Sequence, residues 1–466
     1  MSETRKILIL GGGFGGIRCA LDLSKKIGSE AEITLIDKKS YHLFVPALYE
    51  VASAYGVKKD SFAVRLKKTI CIPYSDIFED KKINPHTHFG QFLKNIFLPW
   101  QKSKVSVGVN FIQAEVFNID LENKKVVTRG GEILDYDYLV IALGGQAADF
   151  GISGVRDYAF QFKELENALA LNQKIEELIK EVVSGVRSRS INPVVDFPIA
   201  TESPKEFRKI HYGVKIAVVG AGFSGIEVAA EFACCVKALS NACGINGRCE
   251  RIMLLEAGSR ILPTVSDDER DIILKRLTRL GIEVMQNAAV EEVGGDHVKL
   301  KNGKRLDVDV VIWTAGIRLP DLLAQTLDLP LTEKSKIKVN NGLEVIGLSD
   351  VFAVGYNTEF IDSKTGKPIP ALAYVAADQG KIAAKNILRI LKSKPLISYN
   401  PFYSVWIAPI GGKYALAHLW GGINIKGFWG WVIRELVDFK YLLSILPFKK
   451  AISIMWQEIT LFTKND

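Results

Sequence analysis

Short apolar runs closed by glycine or acidic residues alternate with segments of helical period along most of the chain. Lys6–Leu10 (KILIL) and Glu32–Asp37 (EITLID) read as buried strands, with the helical IRCALDL of Ile17–Leu23 between them. The same order returns later as Lys215–Val219 (KIAVV), the helical IEVAAEF of Ile226–Phe232, and Arg251–Glu256 (RIMLLE). Two further runs match each other. DYDYLVIALGG (135–145) and DVDVVIWTAG (307–316) each carry aspartates, a strand and a glycine turn. Strands alternating with helices predict parallel sheets, and the repetition predicts two nested domains of one design. Phe111–Val127 reads as hairpin strands around a polar turn, and Phe162–Val183 and Val375–Leu391 read as helices. Lys58–Gly108 is mixed and partly basic, with a surface excursion over Phe78–Asn95. Ser184–Val214 holds prolines and charges without a steady period and reads as a connector or insertion.

Each repeat opens its helix with a glycine fingerprint. GGGFGG places Gly11, Gly13 and Gly16 in G-x-G-x-x-G spacing, with Asp37 closing the next strand. GAGFSG places Gly220, Gly222 and Gly225 in the same way, with Glu256 closing its own. The first glycine permits a sharp turn out of the strand, the second lets the backbone approach a pyrophosphate, and the third lets the helix pack on the sheet. The helix N-terminus then offers unpaired N–H groups and a positive dipole end to the phosphates. The acid accepts hydrogen bonds from ribose hydroxyls, and at Glu256 it disfavours a 2′-phosphate, so NAD(H) is expected over NADP(H). One fingerprint alone is weak, because a glycine turn also serves to pack a helix on a sheet without a ligand. Two of them, each with strand, helix and acid in order, point to a chain that binds two dinucleotides.

Composition narrows the class. Hydrophobic residues make up 48% and charged residues 24%, as in ordinary globular proteins, and the formal charge of +8 is mild. No basic stretch interleaved with aromatics marks a nucleic-acid groove, so the charge is read as solubility plus attraction to an anionic membrane surface. Cys19, Cys71, Cys234, Cys235, Cys243 and Cys249 form no C-x-x-C pair and no metal-like cluster with histidine. No metal is expected, and a reducing compartment fits. The first strand begins almost at Met1, so no signal peptide is expected.

The order of motifs resembles the two-dinucleotide-binding flavoproteins and, within them, the type II NADH dehydrogenases, NADH:quinone oxidoreductases that pump no protons. The likeness rests on GGGFGG with Asp37, YHLFVPALYEVA (41–52), YDYLVIALGG, GAGFSGIEVAAE, LLEAGSRILP (254–263), VVIWTAG, DVFAVG (350–355) and the aromatic tail. It covers nearly the whole chain. It implies an α/β fold of two nested Rossmann-like domains plus a C-terminal region with amphipathic, membrane-anchoring helices. The FAD-binding domain would occupy 1–151 and 319–398, the connector 152–214, the NADH-binding domain 215–318 and the membrane-associated region 399–466.

The same resemblance implies the site. FAD would lie on Gly11, Gly13, Phe14, Gly15, Gly16, Asp37 and Lys38, along His42, Pro46, Ala142, Gly144, Gly355 and Tyr356, with adenine at the Val116 backbone. NADH would take Gly220, Gly222, Phe223, Ser224, Gly225 and Glu256, with Ala315 and Gly316 near its nicotinamide. Glu227 would be the catalytic residue near nicotinamide and flavin, and Ala373, Tyr374, Ala376, Ala377 and Asp378 would line the quinone side. The flavin carries the redox chemistry while the protein supplies orientation and electrostatics, which suits a chain without a nucleophilic triad. The implied partners are a quinone or another small acceptor and the cytoplasmic face of a membrane, with a homodimer left open.

Two positions depart from the family pattern. Its Gly-Asp pair, whose aspartate bonds the ribityl chain, is here Gly355-Tyr356, and its Ala-Gln-x-Ala-x-Gln helix is here Ala373-Tyr374-Val375-Ala376-Ala377-Asp378. The acceptor is therefore open. The alternative is a relative that binds a dinucleotide without turnover, as a regulatory or assembly module. A dithiol oxidoreductase would carry C-x-x-x-x-C where this chain has YHLFVPAL, and a sulfide:quinone oxidoreductase would have cysteines near Trp313-Thr314-Ala315-Gly316.

The tail completes the reading. Gly427–Leu446 is 20 residues long, enough to reach across a bilayer as a helix. Arg434, Glu435, Asp438 and Lys440 would cost on the order of 10 kcal/mol there, against roughly 3–6 kcal/mol returned by its apolar residues, so it is not expected to span. After Pro447 a second helix sets Phe448, Ile452, Met455, Trp456, Ile459 and Phe462 on one stripe, with Lys449, Lys450, Ser453, Gln457 and Thr460 largely opposite. Periodicity alone fits a helix packed on its own core. With the resemblance, it reads as an interfacial anchor.

Overall fold

The computed structural model describes residues 4–54, 62–78, 108–183, 213–242 and 250–462. Two five-stranded parallel sheets carry the molecule. The first has the order Val351–Ala353, Tyr138–Ile141, Arg5–Leu10, Ala31–Asp37, Val109–Gln113. The second has the order Ala159–Gln161, Val310–Trp313, Val214–Val219, Glu250–Leu255, Glu283–Met285. The predicted repeat is thus a repeat of topology: a fingerprint strand at the centre, its acid-bearing neighbour on one side and the glycine-ended strand on the other. Tyr138–Ile141 and Val310–Trp313 are buried at every residue. That is why they read as continuous apolar runs, since strands covered on both faces have no polar alternation.

Two strands depart from the sequence reading. Ala159–Gln161, inside the stretch read as connector, is the outer strand of the second sheet, and three residues are too few to show a period. Val109–Gln113 joins the first sheet beside Ala31–Asp37, leaving the hairpin to Val116–Asp120 and Lys125–Thr128. Helices form at Leu165–Val183 and Ala373–Ile390 as expected. The excursion from residue 79 to 95 and the connector from 184 to 212 lie outside the described residues.

Helix Phe14–Ser24 meets helix Ala373–Ile390 backbone to backbone, because a Cβ at Gly380 would lie 2.1 Å from the Gly15 carbonyl oxygen. Only glycine permits that approach. It brings the start of Ala373–Ile390 beside the first glycine turn.

The C-terminal region is a three-stranded antiparallel sheet, Trp406–Pro409, Ala415–His418 and Asn424–Gly427, followed by helices Phe428–Ile445 and Phe448–Phe462. Leu442, Leu443 and Ile445 bury against Ile17 and Leu21 of the first fingerprint helix. Part of helix Phe428–Ile445 is inside out, although Trp431 is buried. Arg434 and Glu435 are buried, whereas Trp429 is 69% exposed and Phe428 and Leu436 are exposed with it. Phe448, Ile452 and Trp456 extend this apolar surface, with Met455 and Ile459 half-buried. The Phe462 side chain lies outside the described residues. Among the described residues, no helix is long and apolar enough to cross a membrane.

Candidate functional site

The two glycine turns are built alike. Gly11 and Gly220 take φ of +98° and +99°, a left-handed backbone open to glycine. Their N–H groups donate to the carbonyls of Ile36 and Leu255, each at 2.8 Å, which locks each turn to the neighbouring strand. A Cβ at Gly16 would lie 1.9 Å from the Gly11 oxygen, and one at Gly225 would lie 1.8 Å from the Gly220 oxygen. The third glycine is therefore a packing residue in both. Asp37 Oδ2 accepts the Gly12 N–H at 2.7 Å, and Glu256 Oε2 accepts the Ala221 N–H at 2.9 Å. Each carboxylate is aimed at its turn and keeps lone pairs for further donors such as ribose hydroxyls.

The first turn opens into a cleft of about 1800 Å³. Gly11, Gly13, Phe14, Gly15, Asp37, Lys38, His42, Pro46, Val116, Ala142, Gly144, Gly355 and Tyr356 all line it. Phe223, Ser224 and Glu227 reach the same cleft from the second fingerprint helix, and Ala373, Tyr374 and Ala376 from helix Ala373–Ile390. The residues fit a long dinucleotide. No atom lies within 4 Å of where a Cβ at Gly13 or Gly144 would stand, so the backbone is bare toward the cleft at the places a cofactor must approach.

Other predicted positions stand apart. Gly16, Gly220, Gly222, Gly225, Glu256, Ala315 and Gly316 are not among the cleft walls. Gly222 is exposed, as Gly13 is in the first turn, and of the second fingerprint's own residues only Phe223 and Ser224 reach the cleft. Ala377 and Asp378 correct the sequence reading of the acceptor side. Ala373, Tyr374, Val375, Ala376 and Gln379 line the cleft, whereas Ala377 and Asp378 are not among its walls. The glutamine that remains works: Gln379 Oε1 accepts the Gly355 N–H at 2.6 Å.

Several wall residues were not legible in advance. The Gly12 carbonyl accepts from Tyr74 Oη at 3.0 Å and from His42 Nδ1 at 3.1 Å. A carbonyl partner makes Nδ1 the protonated nitrogen, leaving His42 Nε2 to accept from Tyr441 Oη at 2.8 Å. Burial holds the imidazole neutral, down at about 4. This chain of bonds links the tail to the first turn, and a lone histidine in an apolar loop carries no sequence signal for it.

Glu227 stands near charged side chains brought by the tail. Burial pushes its carboxyl up to about 7, with Arg434 pulling it down and Asp438 pushing it further up. Arg434 donates to Glu50 Oε1 at 2.7 Å and to Glu435 Oε1 at 2.9 Å, and lies 3.4 Å from Asp438 Oδ2. Burial also raises Glu50 to about 8, against the pull of Arg434. Arg434 thus fastens the tail helix to the body through Glu50 while Glu435 and Asp438 flank it on its own helix, and removing one partner would strand the others.

Tyr356, the departure from the family aspartate, turns its hydroxyl to the Ile317 carbonyl at 2.7 Å. Its ring packs on the Gly145 backbone, where a Cβ would lie 2.6 Å from the ring edge. Lys336 Nζ donates to the Tyr356 carbonyl at 2.7 Å and sits 3.0 Å from the ring centroid, with Lys163 Nζ 5.4 Å away. No metal-like cluster of histidine, cysteine and acids occurs among the described residues.

A relative from Staphylococcus saprophyticus named Type II NADH:quinone oxidoreductase is 26% identical over 457 residues, covering 96% of this chain and 99% of its own. One from Haemophilus influenzae with the same name is 29% identical over 400 residues, covering 85% and 83%. NDH2 from Plasmodium falciparum, solved in complex with NADH, superposes with a TM-score of 0.74 at 18% identity over 98% of both chains. The sulfide:quinone oxidoreductase of Aquifex aeolicus gives 0.67 at 19% identity over 94% and 90%. These structures establish the shared fold. Residues 5–380 match the pyridine nucleotide-disulphide oxidoreductase family, and the chain belongs to it.

Proposed function

We propose that this chain is an NADH dehydrogenase of the type II kind, holding FAD in the cleft, taking NADH on the second glycine turn and delivering electrons to a quinone. The observation that carries the reading is the meeting of three regions in one cleft: the first glycine turn, the second fingerprint helix and the tail. Bound FAD supplies hydride acceptance from nicotinamide and onward electron delivery. The chain's own groups do the rest. Gly13 and the N-terminus of helix Phe14–Ser24 meet the pyrophosphate, Asp37 and Glu256 select the two riboses, and Phe223 and Glu227 face the cofactor from the second unit. Glu227, raised to about 7, holds a proton at the cleft wall near neutrality. Trp406, Trp420, Ile433 and Val437 give the tail side an apolar wall suited to a quinone ring. The outward face of the tail, with Trp429 and Trp456, rests on the membrane surface. The relatives carry enzyme names, and no observation favours a module without turnover.

The test uses the purified full-length protein. It is expected to bind FAD, to lose its flavin colour with NADH under anaerobic conditions, and to regain it when a soluble quinone is added. A protein that takes up no flavin, or whose flavin NADH leaves oxidised, refutes the reading. Trp429→Glu with Trp456→Glu is expected to free the protein from anionic vesicles with flavin content unchanged. Undiminished sedimentation of that variant with vesicles would remove the membrane part.

A further inference from the structure

Two lysines stand in the cleft with no ion-pair partner among the described residues. Lys163 and Lys336 both line it and both address the ring of Tyr356. The carboxylates whose field they feel are engaged elsewhere, Glu164 by Lys39 and Glu359 by Lys334 at 3.9 Å. Among the described residues, neither Lys163 nor Lys336 forms an ion pair. Burial lowers both to about 8, and for Lys336 the charge of Lys163 adds to the effect. A half-buried cation pair held only by an aromatic face and a carbonyl is left short of negative charge.

Topology says what negative charge is near. Along the carboxyl edge of the first sheet, Asp37 ends one strand and the glycine turn follows the next. Beyond them come Ala142–Gly144 and then Gly355-Tyr356. A dinucleotide with its ribose on Asp37 and its pyrophosphate on the turn runs on toward Tyr356 with its other half. Tyr356 also bonds Ile317, which follows Ala315 and Gly316 out of the second unit. The lysines therefore sit where the redox end of the first cofactor meets the second.

We propose that Lys163 and Lys336, spread over the Tyr356 ring, form a cationic subsite that stabilises the negative charge the flavin ring acquires on accepting a hydride. The inference rests on the FAD reading above. A hydride brings two electrons and one proton, so a neutral ring that takes it gains one negative charge while the nicotinamide leaves as its cation. The family aspartate would have stood as an anion at this turn. Tyr356 in its place removes that anion and gives the lysines a surface to rest on.

Sulfite tests the charge without turnover, because it adds to the oxidised ring and leaves a negative charge on it. The measurement is sulfite titration of the FAD-loaded full-length chain, read as loss of flavin absorbance, with the midpoint potential determined beside it. Lys336→Met and Lys163→Met are each expected to weaken sulfite affinity about tenfold and, on the same scale, to lower the two-electron potential by about 30 mV. Lys336→Arg is expected to keep both near the original values, and thermal unfolding of each variant checks its fold. Unchanged sulfite affinity and potential in the double methionine variant overturn the proposal. So does a loss of FAD retention with sulfite affinity of the retained flavin unchanged, which would assign the lysines to the pyrophosphate. A chain that binds no FAD at all refutes the underlying reading instead, and this inference with it.

Discussion

The two glycine turns share φ angles, backbone bonds, packing glycine and acid, yet they are set in different surroundings. The first lies at the bottom of a cleft, with its Gly12 carbonyl held by His42 and Tyr74. The second has Ala221 in the equivalent place, and Gly220, Ala221 and Gly222 are not among the cleft walls. Local geometry decides that a nucleotide phosphate can dock. The surroundings decide how long it stays: an enclosed, clamped turn suits a cofactor retained through many turnovers, and an open one suits a substrate that arrives and leaves.

The sharpest way to break this contrast is to damage each turn equally. Gly16→Ala and Gly225→Ala each force a Cβ to within 2 Å of a carbonyl oxygen, a distortion worth about 3 kcal/mol, or roughly a hundredfold in affinity. Gly16→Ala is expected to yield colourless protein. Gly225→Ala is expected to stay yellow but resist reduction by NADH, and if it too loses its flavin, the division of labour is wrong.

Next in size is a pH effect confined to the first turn. The folded chain keeps His42 neutral down to about 4, whereas the unfolded chain protonates near 6.5. Stability present above pH 6.5 is therefore lost as the pH falls toward 4, by about 2 kcal/mol at pH 5. Chemical unfolding at pH 7 and pH 5 should show a smaller decline in His42→Asn than in the parent. An equal decline in both would mean that His42 is not held neutral.

Glu256 sharpens the comparison from the other side. Replacing it with glutamine removes the charge that opposes a 2′-phosphate, so the NADH-over-NADPH preference is expected to shrink about tenfold with flavin retention intact. Equal or tighter NADPH binding by the parent would cancel the assignment of Glu256. The smallest effect is expected from Tyr441→Phe, which deletes one neutral bond to His42. About 1 kcal/mol, a few-fold faster loss of flavin on dialysis, is the expected result.

What could be read from the sequence was the repeated part. Strands with glycine turns and acids announce themselves because each residue type has one local job, and both sheets follow that pattern. Tyr74, Lys163, Lys336 and Tyr441 were invisible because their roles come from distant elements converging on one cleft. Asp378 was read as a wall residue from its place in a motif, and a motif gives positions along a helix without saying which of them the surrounding elements leave open to the cleft. The inside-out tail was half legible. Its charges excluded spanning, but their partner Glu50 lies 384 residues away.

The Tyr441–His42–Gly12 chain has a thermodynamic consequence. A tail whose hydroxyl braces the cofactor's turn cannot dock independently of what fills that turn. Coupling free energy is reciprocal: by whatever factor seating the tail tightens the cofactor, the cofactor tightens the seating of the tail. With the cofactor on the first turn as proposed, assembly of the C-terminal region and loading of the cleft form one linked equilibrium, and emptying the cleft is expected to loosen the terminus.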